Sequence, residues 1–133
     1  MANHVLLVED SPIQARLIQA ELHRHGLTVE IADTGTAGLN AAQRRPPAAI
    51  VLDVELPGIN GYTLCRLLKT DPRTAMIPVV MLTRHSQPAE TAKGLQVGAD
   101  RYLPKDTRVL PDLLEALHQL GIMAASDDQT APG

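Results

Sequence analysis

Val5-Leu6-Leu7-Val8-Glu9-Asp10-Ser11-Pro12 is the stretch from which the fold can be read. Its four aliphatic residues run without polar alternation, as in a strand covered on both faces. The run stops at two adjacent acids. Ser11 then suits a helix N-cap, because its hydroxyl can accept from an unpaired helical N–H. Pro12 suits the first helical position, where a missing N–H costs nothing. A buried strand, an acidic turn and a helix start follow one another directly.

The same alternation continues along the chain. Further β-forming runs are Thr28–Ala32, Ala49–Leu52, Pro78–Leu82 and Arg101–Leu103. The runs at Val5, Ala49 and Pro78 are continuous rather than alternating, which predicts central strands of a parallel sheet. Helical patterns lie between and after them. The first has Ile13, Leu17 and Leu22 on its expected apolar side and can end at Gly26. The second spans about Thr36 to Arg44 and stops before Pro46-Pro47. The third starts near Asn60-Gly61 and carries Leu64, Leu67 and Leu68. The fourth, from about Pro88 to Val97, holds Gly94 and few large apolar groups. The fifth starts around Pro111 and carries Leu113, Leu114, Leu117 and Leu120 up to Gly121. Alternating strands and helices predict an α/β fold, a doubly wound five-stranded parallel sheet with right-handed crossovers. No repeat or internal linker interrupts the pattern. Residues 4–121 read as one domain, and 122–133, small and polar, as a disordered tail.

Composition narrows the class. A chain of 133 residues fits one domain, and 44% hydrophobic residues suffice for a core. Phe and Trp are absent, so that core must be aliphatic. A formal charge of −3 provides no basic excess for nucleic acid. The single cysteine, Cys65, excludes an internal disulfide framework and is expected to pack inside helix three. Met1-Ala2-Asn3-His4 lacks the charged and apolar regions of a signal peptide. No apolar run approaches the ~20 residues of a membrane helix. A soluble, cytoplasmic protein is expected, binding neither nucleic acid nor membrane.

In doubly wound sheets the ligand site lies beyond the carboxyl ends of the strands. Strand one ends in Glu9-Asp10, strand three in Asp53, strand four in Thr83, and Lys105 follows strand five. Three carboxylates, a hydroxyl and an ammonium would meet at one sheet edge. Close carboxylates repel unless a cation is present. Mg²⁺, which prefers oxygen ligands and keeps some water, answers that need. A carboxylate can also take a phosphoryl group as an acyl phosphate. That transfer needs mainly positioning and charge neutralisation, which Mg²⁺ and Lys105 would supply while Thr83 donates a hydrogen bond.

Four blocks carry a resemblance: Val5–Ser11, Asp53–Gly61, Met81–Thr83 and Gly98–Lys105. In their order and spacing the chain resembles the response-regulator receiver family of two-component signalling, over His4 to Gly121. The resemblance implies a flavodoxin-like (βα)5 sheet of strand order 2-1-3-4-5, similar to single-domain chemotaxis regulators. It implies that Asp53 accepts a phosphoryl group from a histidine of a sensor kinase or phosphotransfer protein. It implies Mg²⁺ held by Asp10, Asp53 and the Glu55 carbonyl, with Glu9 acting through water. Lys105 and Thr83 would bind the phosphoryl oxygens. Thr83 and Tyr102 would form the switch, reshaping a protein-binding face of helix four, strand five and helix five. The protein would be a monomer or weak homodimer, with Leu113, Leu114 and Leu117 partly available for pairing. Beyond self-phosphotransfer and autodephosphorylation, no enzymatic activity is expected.

The chain departs from the family pattern in three places. Proline precedes Lys105 instead of following it, so the Lys105–Asp106 bond is either trans, with an altered loop, or cis. Arg84 stands directly after Thr83, where a small residue is usual, and His85 follows it. Glu55 adds charge two positions after Asp53. Glu55, Arg84 and His85 are therefore the expected tuners of phosphoryl lifetime. Other readings compete. The chain could be a piece of a hybrid kinase or of a regulator with an output domain. It could be a Mg²⁺-dependent phosphatase with an aspartyl-phosphate intermediate, since Glu55 sits where many such enzymes place a second acid. It could also be a degenerate receiver that binds partners unphosphorylated. His23 and His25 face apart on a helix and form no metal pair. Gly35 and Gly38 follow strand two, so they make no dinucleotide fingerprint.

Overall fold

The computed structural model describes residues 4–84 and 88–122, with the side chains of 88–90 left aside. Elements alternate as β1 (His4–Val8), α1 (Pro12–Arg24), β2 (Thr28–Ala32), α2 (Gly35–Arg44), β3 (Ala49–Asp53), α3 (Gly61–Thr70), β4 (Val79–Thr83), α4 (Pro88–Gln96), β5 (Arg101–Pro104) and α5 (Val109–Gln119). The five strands are parallel, in the order β2-β1-β3-β4-β5. The continuous apolar runs are the three inner strands, and every residue of β1, β3 and β4 is buried. The edge strands β2 and β5 are only partly covered. Pro104 closes β5 at an edge, where a missing N–H breaks no inner ladder.

Two cores flank the sheet because side chains alternate across a strand. Val5, Leu7, Val51, Val80 and Leu82 face α1 and α5, packing on Ile18, Leu22, Leu113 and Leu117. Leu6, Val8, Ile50, Leu52 and Met81 face the other way, onto Ala41, Leu64, Cys65 and Leu68. Burial of one such Leu is worth about 2 kcal/mol.

Several helix details differ from expectation. Ser11 caps α1 as expected, accepting from the Gln14 N–H at 3.3 Å. Its buried side, however, is Ala15, Ile18 and Leu22, while Ile13 and Leu17 are 74% and 60% exposed. Both apolar stripes have helical spacing, and the small Ala15 lets the backbone approach the sheet. Thr34 caps α2, which starts at Gly35, one residue earlier than read. In α3, Leu67 points outward and Tyr62 and Cys65 join Leu64 and Leu68 in the core. The helix α5 starts at Val109, two residues before Pro111. Proline is tolerated there because first-turn N–H groups have no helical acceptor. Leu113 and Leu117 are fully buried, so they are not free for pairing between copies, while Leu114 is only partly buried against the same core. Ile122 also packs on this core, and residues 123–133 lie outside the described ones.

Cys65 is buried, and burial pushes its thiol up to about 11. The neutral thiol is thus favoured by folding, an advantage that holds below the ordinary cysteine range and is lost as pH rises through about 11. Only the thiolate reacts with an aromatic disulfide. The folded protein at pH 8 should therefore react with such a reagent at least about 100-fold more slowly than the urea-unfolded chain. Equal rates, measured by thiolate release, would place Cys65 at the surface.

Candidate functional site

The two-residue alternation assembles the site. Glu9 continues the face of Val5 and Leu7, Asp53 that of Ala49 and Val51, and Lys105 that of Leu103. Three strand ends thereby aim an acid, an acid and an ammonium at one point. The Lys105 ammonium donates to Glu9 Oε1 at 2.7 Å and to Asp53 Oδ2 at 2.9 Å. The side chains are 6%, 1% and 1% exposed, so water screens these contacts little. The remaining oxygens are held by the backbone. Glu9 Oε2 accepts from the Ser11 N–H at 3.1 Å, and Asp53 Oδ1 accepts from the Glu55 N–H at 3.1 Å.

Asp10 differs. It is exposed just before α1, and its carboxylate makes no hydrogen bond or ion pair with another of the described residues. Glu9, Asp10 and Asp53 each place an oxygen within 4.8 Å of the others. An all-oxygen donor set with an open side fits a hard divalent ion. A cleft of about 240 Å³ opens beside it, lined among others by Glu9, Asp10, Arg16 and Asp33. Asp33, at the end of β2, was not among the expected site residues. A larger cleft between β2 and α2, around Glu30 and Arg44, shares Asp33 but holds none of Glu9, Asp10, Asp53, Thr83 and Lys105.

Charge balance is visible in two protonation equilibria. Burial raises the Glu9 carboxyl above its ordinary 4.5, opposed by its hydrogen bonds from Lys105 and Ser11. Burial alone would lower the Lys105 ammonium, but hydrogen bonds to Asp53 and Glu9 outweigh it and the net direction is up. The two directions agree on one physical point: a positive charge at this spot is needed by two buried carboxylates.

Thr83 ends β4 and is fully buried. Its carbonyl accepts from the Lys105 N–H at 2.6 Å, which ties the β5–α5 loop to the site. The register pairs Thr83 with Pro104 and Met81 with Tyr102, so Thr83 and Tyr102 lie on the same sheet face. No cis peptide bond occurs among the described residues, so the Lys105–Asp106 bond is trans. The loop closes by Asp106 Oδ1 accepting from the Arg108 N–H at 2.8 Å and the Asp106 carbonyl accepting from the Val109 N–H at 3.1 Å.

Arg84 and Glu55 meet at 3.6 Å across the mouth, both well exposed. His85 lies outside the described residues. Gly61 approaches the acceptor strand closely: its N–H donates to the Val54 carbonyl at 2.8 Å, and a Cβ there would overlap the Asp53 carbonyl oxygen. Tyr62, which sequence reading did not single out, shares a hydrogen bond with Tyr102 at 2.8 Å between hydroxyls. Its sequence signal is slight, an aromatic residue in a chain with no Phe or Trp.

The family model described as the response regulator receiver domain matches residues 5–118. The chain belongs to the response regulator receiver family. Receivers are phosphorylation-dependent switches of two-component systems and interact with histidine kinases or phosphotransfer proteins. The chain is 39% identical to the response regulator PleD of Caulobacter vibrioides over 105 residues, 79% of this chain and 23% of PleD. It is 35% identical to protein PilH of Pseudomonas aeruginosa, over 76% of this chain and 84% of PilH. Among solved structures it resembles the receiver domain of the sensor histidine kinase PA1611 of Pseudomonas aeruginosa PAO1, which has a magnesium ion coordinated in its active site cleft. That match has a TM-score of 0.81 and 28% identity, over 90% of this chain and 97% of that one. The chain spans about a quarter to about half the length of the first curated relatives it matches. The phosphatase reading is not favoured by these relatives. The acidic cluster and the metal-bound receiver together support a divalent cation. No described helix is long and apolar enough to cross a membrane.

Proposed function

We propose that Asp53 accepts a phosphoryl group from a phosphohistidine of a sensor kinase or phosphotransfer protein. The observation that carries this reading is the state of its carboxylate. It is buried at the end of β3, with one oxygen held by the Glu55 N–H and the other by Lys105, beside two further acids. One oxygen of Asp53 attacks phosphorus as the phosphorus–nitrogen bond of the donor breaks. Lys105 stays with the charge that moves from carboxylate to phosphoryl oxygens, and the Thr83 hydroxyl donates to the same group.

Mg²⁺ fits the donor set: Asp10, Asp53 and the Glu55 carbonyl would hold it, and Glu9 would act through water. When bound, it supplies positive charge to the phosphoryl oxygens. The donor protein is proposed to dock beside the site on α1, where exposed Ile13 and Leu17 flank a groove lined by Val109 and Leu110. Thr83 and Tyr102 pass the change to the face of α4, β5 and α5, where a downstream protein binds. Residues 4–121 form the working receiver. The setting is cytoplasmic, the protein a monomer or weak homodimer, and chemistry is confined to its own phosphorylation and dephosphorylation.

Intact-mass measurement with acetyl phosphate and Mg²⁺ tests the reading. One phosphoryl group per chain is expected, with no sustained hydrolysis of a phosphomonoester. Continuous turnover would favour the phosphatase instead.

Arg84 and Glu55 should set the lifetime. Glu55 follows the acceptor by two residues and Arg84 follows Thr83 directly, so the pair they form would restrict the path of water to Asp53. An exposed pair is worth up to about 1 kcal/mol, so Arg84→Ala should speed dephosphorylation about two- to five-fold. An unchanged decay rate of the labelled protein would remove Arg84 from the site.

A further inference from the structure

We propose that Tyr62 is a positioning residue for the switch, its hydroxyl holding Tyr102 turned in before any phosphoryl group arrives. The inference rests on the switch role given to Tyr102 above, and adds what sets its resting position. Tyr62 is buried in the second position of α3, and its hydroxyl meets that of Tyr102 at 2.8 Å. Two phenols in such contact satisfy one another, one donating and one accepting. The Tyr102 ring lies on Gly94 of α4, where a Cβ would overlap ring atom Cδ1 and come within 2.5 Å of Cε1. Only a residue without a side chain leaves room for the ring. Lys93, beside Gly94, places its ammonium 4.7 Å from the centroid of the Tyr62 ring. That distance suits a cation–π contact.

One tyrosine pair therefore joins α3, α4 and β5. Tyr102 shares its sheet face with Thr83, so a bias on Tyr102 is also a bias on the space Thr83 must use. Linkage makes the effect reciprocal: whatever favours turned-in Tyr102 favours the phosphoryl-bound site if the two are coupled. The hydrogen bond sets the size of the bias. A net neutral hydrogen bond corresponds to about a two- to ten-fold change in an equilibrium.

The test uses the two tyrosines as their own probes, since the chain has no others. The full chain is labelled with ¹³C at tyrosine Cζ, and each Phe variant assigns the remaining resonance. Without ligand, Tyr62→Phe should move the Tyr102 resonance toward that of a solvent-exposed tyrosine. Gly94→Ala should move it the same way, by crowding rather than by loss of the hydroxyl. With Mg²⁺, Tyr62→Phe should weaken beryllofluoride binding about three-fold. Tyr102→Phe should do the same, and the double variant no more than either, because one shared bond is lost in each. A Tyr102 resonance unmoved by Tyr62→Phe would overturn the proposal, and so would a moved resonance with unchanged beryllofluoride affinity. Failure of the unsubstituted protein to bind beryllofluoride would instead overturn the phospho-acceptor reading. The ligand-free resonances would still decide whether Tyr62 holds Tyr102.

Discussion

Lys105→Met should destabilise the metal-free fold by about 3 kcal/mol at neutral pH. The reason is what the change leaves behind. Lys105 donates to Glu9 and Asp53 at 2.7 and 2.9 Å, and both carboxylates are almost wholly buried. Methionine fills much of the same volume, so packing is nearly conserved and the loss is electrostatic. Two adjacent buried carboxylates then lack a cation, and one must take a proton.

The pH dependence has a definite sign. Lys105 has its folded pKa raised, so its stabilisation is fully present below the ordinary 10.5 and is lost as pH rises through the folded value. Glu9 also has a raised folded pKa. A raised carboxyl favours the folded state at low pH, and that advantage fades as pH rises through the folded value. Without Lys105 the Glu9 carboxyl rises further. The deficit of the variant should therefore shrink on acidification and grow toward neutral pH. A divalent ion should also reduce it, because the ion replaces the missing charge. Urea unfolding in chelator and in millimolar Mg²⁺, across pH, measures all three effects. Equal stability of variant and parent in chelator at neutral pH would contradict the site's charge balance.

Gly61→Ala should cost about 2 kcal/mol and also slow phosphorylation. A Cβ at Gly61 would overlap the Asp53 carbonyl oxygen, and would lie 2.7 Å from Val54 Cα and 3.0 Å from the Asp53 carbonyl carbon. All three are backbone atoms of the segment that carries the acceptor, so no rotamer change relieves the contact. The start of α3 must move away from β3, or Asp53 must move. Gly58→Ala is the control: it has φ +77 and nothing near its missing Cβ. It should cost only the strain of a left-handed backbone, about 1 kcal/mol, and leave labelling rates unchanged. Equal labelling rates for Gly61→Ala and its parent would show that α3 does not position Asp53.

The sheet was legible because its inner strands are uninterrupted aliphatic runs, and the site because each such run ends on a charged or hydroxyl residue. Glu9, Asp10, Asp53 and Lys105 meet as expected because sheet register makes distant strand ends neighbours. Helix orientation was less legible. In α1 both Ile13/Leu17 and Ala15/Ile18/Leu22 have helical spacing, and hydrophobicity favours the wrong stripe. What buries Ala15 is the need for close approach to the sheet, which no periodicity reports. The same holds for Leu67, displaced from the core side of α3 by Tyr62 and Cys65. Leu113 and Leu117 are covered by a core whose extent only the tertiary packing reveals. Tyr62 escaped notice because its partner lies in β5, far away in sequence, and a buried aromatic ordinarily needs no explanation beyond packing.

The central claim is that Asp53 carries the phosphoryl group. An acyl phosphate is reduced by borohydride, which converts a phosphorylated aspartate to homoserine. The protein is incubated with acetyl phosphate and Mg²⁺, reduced, digested and sequenced by mass spectrometry. Homoserine at position 53, and none in Asp53→Asn, is the result expected. Reduction at Glu9 or Asp10 instead, or full labelling of Asp53→Asn, would contradict it.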